Sequence, residues 1–297
     1  MARTERIRDR DTTAARLLGS SVRNSYDPDL DVDWAAPLVD GKFFMPPERM
    51  SLYGTALWDG LSPEQRIELS KHEIASIMSV GLWFEIVLIQ MLTRYAYNLD
   101  PRTAHAQYAL TEIGDETRHS IMFARTAERL GVPRYGVPKA IHSVAKVYAA
   151  TAGGPSMFAS VLVAEETTDR LQRSMMDDED IQPLIRAVNK IHVVEEARHV
   201  RFAREEVSRL MDGLSAAGRR WHRASAAVGA GVVDALVDPR VYRSVGINAS
   251  EGRRAALANP HFHATRRWMA EKIVPFLREE GLIGGRSEAL WRRFRLI

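Results

Sequence analysis

The sequence predicts an all-α protein: a four-helix bundle with additional packed helices and an N-terminal arm. Three observations predict it. Helix start and stop signals bracket four successive stretches of 22 to 31 residues, strand-like alternation is scarce, and a repeat with an 80-residue offset maps the first two stretches onto the second two. Four long helices in a row are the raw material of a bundle.

Residues 1–50 are rich in Asp, Pro, Arg and Ser, carry scattered aromatics (Tyr26, Trp34, Phe43, Phe44), and show no sustained period of 2 or 3.6. They read as an arm wrapping a single domain formed by residues 51–297. Ser62-Pro63-Glu64-Gln65 opens the helical region: Ser62 can cap, Pro63 suits the first helical position, and Gln65 completes a capping box. The first long helix occupies about residues 69–98 and stops before Asp100-Pro101. A second runs to Leu130 and is closed by Gly131-Val132-Pro133; a third spans about 155–176 and a fourth about 181–211, closed by Gly213. A small-residue helix over about 216–237, a loop opening at Asp238-Pro239 and a basic helical stretch over about 264–280 follow as extra packed elements.

Composition narrows the chemistry. The 297 residues carry 41 Lys+Arg against 38 Asp+Glu, a net charge of +3 that does not describe a nucleic-acid surface. With 0 Cys, thiolate nucleophiles, zinc ribbons and Cys-ligated iron–sulfur clusters are excluded, so any metal must sit on His, Asp and Glu. The charged N-terminus lacks an apolar core, so no secretory signal is read and a cytoplasmic location is expected. The most apolar run, residues 80–92, is short and holds Glu85 and Gln90, so no membrane partner is expected either.

Asp115-Glu116-Thr117-Arg118-His119 in the second helix matches Glu195-Glu196-Ala197-Arg198-His199 in the fourth, and the same offset carries Glu85 onto Glu165. Each half therefore contributes a Glu and, 31 residues later, Glu-x-x-His. One such pair is close to what chance supplies. Two in register, each preceded by a Glu at the same distance, are not. Residues i and i+3 share a helix face, so Glu116 with His119 and Glu196 with His199 can chelate one side of a metal pair. Glu, Glu-x-x-His, Glu, Glu-x-x-His on four helices is the ligand set of a carboxylate-bridged di-iron or di-manganese site, and these hard donors suit Fe or Mn better than Zn. Glu85 and Glu165 lie in or at the end of apolar runs, where an unpaired carboxylate is costly and a cation removes the cost.

His192, four residues before Glu196 and seven before His199, falls on the same helix face and is a candidate seventh ligand. Glu112 holds the symmetric place in the first half and is also a possible ligand, although a supporting or solvated role needs no special geometry. Asp115 and Glu195, each preceding a motif Glu, are candidates to accept the free N–H of the ligand histidines.

Glu85, Glu116, His119, Glu165, His192, Glu196 and His199 resemble, in order, the ligand pattern of the p-aminobenzoate N-oxygenase family of ferritin-like di-iron oxygenases. Specific resemblance covers about residues 69–210. It implies two Fe per chain, with Mn an alternative: the first on Glu85, Glu116 and His119, the second on Glu165, His192, Glu196 and His199, bridged by Glu116 and Glu196. It also implies a non-haem monooxygenase that binds O2 as a peroxo species and oxidises an aryl amine toward hydroxylamine and nitro products. The expected partners are O2, a small-molecule amine and an unidentified electron donor, and a homodimer is compatible with the spare helices. The alternative reading is a di-iron C–H hydroxylase or desaturase-like monooxygenase. An iron store explains less of the chain, and a radical-generating subunit would want a phenol where Phe123 stands.

Overall fold

The computed structural model describes residues 10–297; the first nine residues of the expected arm lie outside the described residues. Among the described residues the elements are helical, apart from one isolated bridge between Phe43 and Ile181. Helix α1 (Arg10–Arg23) and two single-turn helices, α2 (Pro28–Asp31) and α3 (Ala56–Asp59), precede the body. A ferritin-like bundle follows, built from α4 (Pro63–Ala96), α5 (Ala104–Arg129), α7 (Gly154–Met176) and α8 (Pro183–Asp212), with the shorter α6 (Lys139–Thr151) between the two helix pairs. Helices α9 (Ala216–Gly229), α10 (Ala249–Ala258), α11 (Pro260–Met269), α12 (Ile273–Glu279) and α13 (Glu288–Arg293) complete the chain.

The capping box forms as read. Gln65 N–H donates to Ser62 Oγ at 3.3 Å, and Gln65 Oε1 accepts from Ser62 N–H at 3.0 Å. This fixes the start of α4, and therefore the phase of its faces, six residues before the first helical residue read from periodicity. Helix α4 packs chiefly on α5, and α7 on α8. Its apolar centre has the length and composition of a membrane span, extending past 80–92, yet 61% of that stretch is buried within the bundle.

Two apolar clusters lie at opposite ends of the four helices. One gathers Leu69, Ile74, Met78, Met122, Leu171, Met175, Ile185 and Val188; the other gathers Leu88, Leu92, Tyr108, Phe158, Leu162, Phe202 and Val207. Between them, on all four helices, run the buried carboxylates and imidazoles of the repeat. The bundle thus holds a polar layer between two dry ones, which keeps bulk water from those charges.

Four readings are corrected. The arm contains a 14-residue helix, α1, whose Ala14, Leu17, Leu18 and Ser21 form one face turned to α5 and α8. Charged neighbours mask that short stripe in sequence. Helix α6 was not anticipated, although Ile141, Val144, Val147 and Tyr148 recur at helical spacing; only Ala149 of it is buried. The expected helix over 216–237 ends at Gly229 and tightens into a 3₁₀ turn, Ala230–Ala235. Gly229 presses on α7 so closely that a Cβ there would sit 2.3 Å from Ser160 Oγ. The basic stretch over 264–280 splits into α11 and α12, because Pro275, which cannot complete an i→i−4 bond, is accommodated in the first turn of a new helix.

Near the start of α4, where it packs against the Pro239–Val245 segment and α11, Glu73 is fully buried. Its Oε1 accepts from Ser51 Oγ at 2.6 Å and its Oε2 from Ser51 N–H at 3.0 Å, while Tyr242 OH lies 3.0 Å from Ser51 Oγ. Burial outweighs both bonds and pushes the carboxyl up to about 7. A folded-state pKa raised above the unfolded one favours folding at low pH and loses that contribution as pH rises through the folded value, here between about 4.5 and 7. Glu73→Gln should remove a slope of at most about 3 kcal/mol across that window, leaving the variant more stable than the parent near pH 8. Melting curves at several pH values test this; parallel profiles for the two proteins contradict it.

Candidate metal centre

Each helix of the bundle contributes from its inward face. Helix α4 supplies Glu85; α5 supplies Glu112, Asp115, Glu116 and His119; α7 supplies Glu165 and Gln172; α8 supplies Asn189, His192, Glu195, Glu196 and His199. All are buried. His119 Nδ1 lies 2.9 Å from Glu116 Oε2 and 3.3 Å from Glu196 Oε1, and His199 Nδ1 lies 2.9 Å from Glu116 Oε1 and 3.0 Å from Glu196 Oε1. The glutamates of the two Glu-x-x-His motifs therefore face each other across the bundle axis, with one imidazole on each side. His192 Nε2 is 3.4 Å from Glu85 Oε1 and 3.7 Å from Glu196 Oε1. Potential ligand atoms of Glu165, His192 and Glu196 lie within 4.8 Å of one another, as do those of Glu85, His119 and His192, and those of Glu112, Glu116 and His199.

These groups leave charge uncompensated. Burial, then mutual repulsion with Glu116, pushes the Glu85 carboxyl well up; burial, then Glu196, does the same to Glu165, and Glu112 is likewise raised chiefly by burial. Glu116 and Glu196 are also penalised by burial, but the imidazoles beside them hold both below the usual carboxylate range. Glu85 Oε2, Glu112 Oε2 and Glu196 Oε2 have no hydrogen-bond partner in the protein. Orphaned, water-excluded carboxylate oxygens converging with imidazole nitrogens are donors that fit divalent Fe or Mn.

The histidines are prepared to donate lone pairs inward. His119 Nε2 bonds Glu195 Oε2 at 2.9 Å and His199 Nε2 bonds Asp115 Oδ2 at 3.2 Å, so α5 and α8 exchange carboxylates: each orients the other's imidazole. With the proton held on Nε2, Nδ1 is free to face the centre. Arg198 approaches both carboxylates, 3.5 Å from Asp115 Oδ2 and 3.6 Å from Glu195 Oε1, and Arg118 pairs with Asp115. The arm closes this arrangement. Tyr26 N–H donates to Glu195 Oε1 at 3.1 Å, and Arg198 Nη1 donates to the Asn24 carbonyl at 3.0 Å. His192 is oriented differently: its Nδ1 bonds Gln172 Oε1 at 2.8 Å, and burial holds its pKa down to about 4, leaving a neutral ring with Nε2 toward the carboxylates.

Beside Glu85, Glu165 and His192 lies a cavity of about 30 Å³, walled by Ile77, Met78, Phe84, Phe123, Leu171 and Met175. Asn189 also lines it, fully buried, with neither amide atom bonded to protein. Phe123 is shared with a wider groove of about 880 Å³ between α4, α5 and α6, whose wall includes Trp83, Tyr135, Lys139, Lys146 and Arg240. Arg240 also reaches this groove, though it is held bidentate by Asp238.

The sequence from residue 7 to 281 matches the family model described as p-aminobenzoate N-oxygenase AurF. The chain belongs to the AurF family. That family is di-iron, and membership supports an O2-using oxygenase with a helical, ferritin-like body. Among curated proteins, the chain is 30% identical over 216 residues to uncharacterized proteins of Mycobacterium bovis and Mycobacterium tuberculosis. The aligned segment covers 70% of this chain and 63% of each relative, so the match spans under two thirds of those proteins' length.

Glu85, Glu116, His119, Glu165, His192, Glu196 and His199 converge as the repeat requires, and Asp115 and Glu195 meet the two histidines. The solvated reading of Glu112 is corrected: it is 1% exposed and turned into the cluster. Gln172 and Asn189 were missed. Gln172 stands seven residues after Glu165, two helical turns along one face, a spacing that periodicity alone could have flagged. Asn189 had no signal beyond its place three residues before His192.

In the metal-free protein, burial works against protonated His199, but Glu196 and Glu116 beside it raise its pKa well above the ordinary value. Asp115→Ala removes the acceptor of His199 Nε2 and one of the two carboxylates beside Arg198, while Glu116 and Glu196 still face His199 Nδ1. It should lower the unfolding free energy of metal-free protein by about 1–3 kcal/mol, measured by urea denaturation. A loss below about 1 kcal/mol would show that Asp115 is not engaged with His199.

Proposed function

We propose that this AurF-family chain is a di-iron, O2-dependent N-oxygenase that oxidises an aryl amine toward hydroxylamine and nitro products. The observation that carries the reading is His192: a third imidazole, neutral and oriented by Gln172, turned to the carboxylates Glu85, Glu165 and Glu196. Glu85, Glu116, His119, Glu165, His192, Glu196 and His199 would hold the two irons, with Glu116 and Glu196, which face both motif imidazoles, as bridges. When bound, the iron pair supplies the reduction of O2 and the transfer of oxygen to nitrogen.

The chain's own residues do the rest. Asp115 and Glu195 keep His119 and His199 in the tautomer that presents Nδ1. The two apolar clusters exclude bulk water, which would otherwise compete for open positions. An amine approaching along the wide groove meets Phe123 before it reaches the small cavity, so that ring controls entry. Inside, the Asn189 amide is the polar group of the wall that no protein partner claims, and it is positioned to bond a polar substituent on the substrate. The apolar clusters draw on the same four helices, which supports treating residues 51–297 as one domain clasped by the arm. Electrons come from an external donor.

Two metals per chain are expected on reconstitution with ferrous iron; fewer than one per chain contradicts the reading. Glu116→Ala and Glu196→Ala should each abolish O2 consumption, because the two metals are then uncoupled. His192→Ala leaves six ligands, so two metals should still bind while oxidation of an arylamine falls by about two orders of magnitude or more. Mass spectrometry of arylamine incubations identifies the product. Ring or side-chain hydroxylation with an intact amine would instead establish the C–H hydroxylase reading.

A further inference from the structure

The 80-residue repeat that relates the two halves places Glu112 where the other half has His192. The structure extends this correspondence into three dimensions. Helix α8 presents His192, Glu196 and His199 at i, i+4 and i+7, and α5 presents Glu112, Glu116 and His119 at the same steps, within about 60° of one face. Exchanging the halves carries the neighbourhood of His192, namely Glu196 and His119, onto that of Glu112, namely Glu116 and His199. Both neighbourhoods are close: His192 Nε2 is 3.7 Å from Glu196 Oε1 and its ring centroid is 4.7 Å from that of His119, while potential ligand atoms of Glu112, Glu116 and His199 lie within 4.8 Å of one another.

Glu112 is 1% exposed, and its Oε2 has no hydrogen-bond partner. No hydroxyl relieves it: Tyr108, one turn earlier on the same face, also keeps a buried OH without a partner. A buried carboxylate oxygen with nothing to accept from carries a desolvation cost that neighbouring protein groups do not offset. We propose that Glu112 is an eighth ligand of the metal pair, taking the position beside His199 and Glu116 that mirrors the position His192 takes beside His119 and Glu196. This inference rests on the di-metal reading and goes beyond its seven ligands. Its consequence is an uneven ligand set around the pair, His192 adding nitrogen beside Glu196 and His119 and Glu112 adding oxygen beside Glu116 and His199. Hard, oxygen-rich sites suit Mn and ferric iron, and nitrogen-enriched ones suit ferrous iron and later metals.

The test is metal binding to the full-length, metal-free chain and needs no turnover. Manganese(II) is titrated into parent and Glu112→Gln proteins, free ion being counted by electron paramagnetic resonance, and cobalt(II) is titrated in parallel with visible absorption. The amide keeps the shape of the side chain but is a far poorer donor. In the variant, one of two binding steps should weaken by about tenfold or more while the other is unchanged, and the cobalt bands should intensify as coordination number falls. Glu112→His, which copies the mirrored residue, should recover the weakened step and also covers the case in which the Gln variant does not fold. Identical manganese isotherms and cobalt spectra for parent and Glu112→Gln would overturn the assignment while leaving the di-metal reading intact. Failure of the parent itself to bind two metals would overturn both.

Discussion

Five buried carboxylates, those of Glu85, Glu112, Glu116, Glu165 and Glu196, share the middle of one bundle with three imidazoles, and their mutual repulsion is the constraint around which the molecule is arranged. No folding chain gathers such charge into a dry interior without a compensating arrangement. Part of that compensation is internal: His119 and His199 stand between Glu116 and Glu196 and hold both ionised, while Glu85, Glu112 and Glu165 are pushed toward their neutral forms. The remainder is what a bound cation would supply. The four long helices, the two apolar clusters and the carboxylate exchange between α5 and α8 all serve to keep this layer aligned.

That exchange also explains why the halves cannot act separately. His119 belongs to α5 but takes its orientation from Glu195 of α8; His199 belongs to α8 and depends on Asp115 of α5. A rotation of either helix would misdirect both imidazoles. Arg198 lies against both acceptors and makes the coupling rigid. The symmetry is incomplete, since His192 in one half corresponds to Glu112 in the other and the two ends of the cluster are lined by different atoms.

Most of the bundle and the ligand pattern were legible in the sequence because both rest on spacing. The capping box at Ser62 fixed one helix start, and the 31-residue interval between lone and motif glutamates fixed which faces converge. Spacing was silent wherever contact between distant segments decides the outcome. Helix α1 forms because α5 and α8 offer a surface to Ala14 and Leu17, the 216–237 stretch breaks because Gly229 must pass Ser160, and Glu112 turns inward because of where His199 lies. None of these is visible within a window of one helix. Asn189 is an ordinary polar residue until α7 and α4 close over it.

The arm's hold on Glu195 and Arg198 bears on the order in which the protein is made. Tyr26 and Asn24 are synthesised before the α8 groups they bond, which follow about 170 positions later. The segment around Tyr26 therefore has no partner until α8 is made, although α1 can already lay its small apolar face on α5. Closure of these two bonds reports that α8 has come into register with α5 beneath the arm.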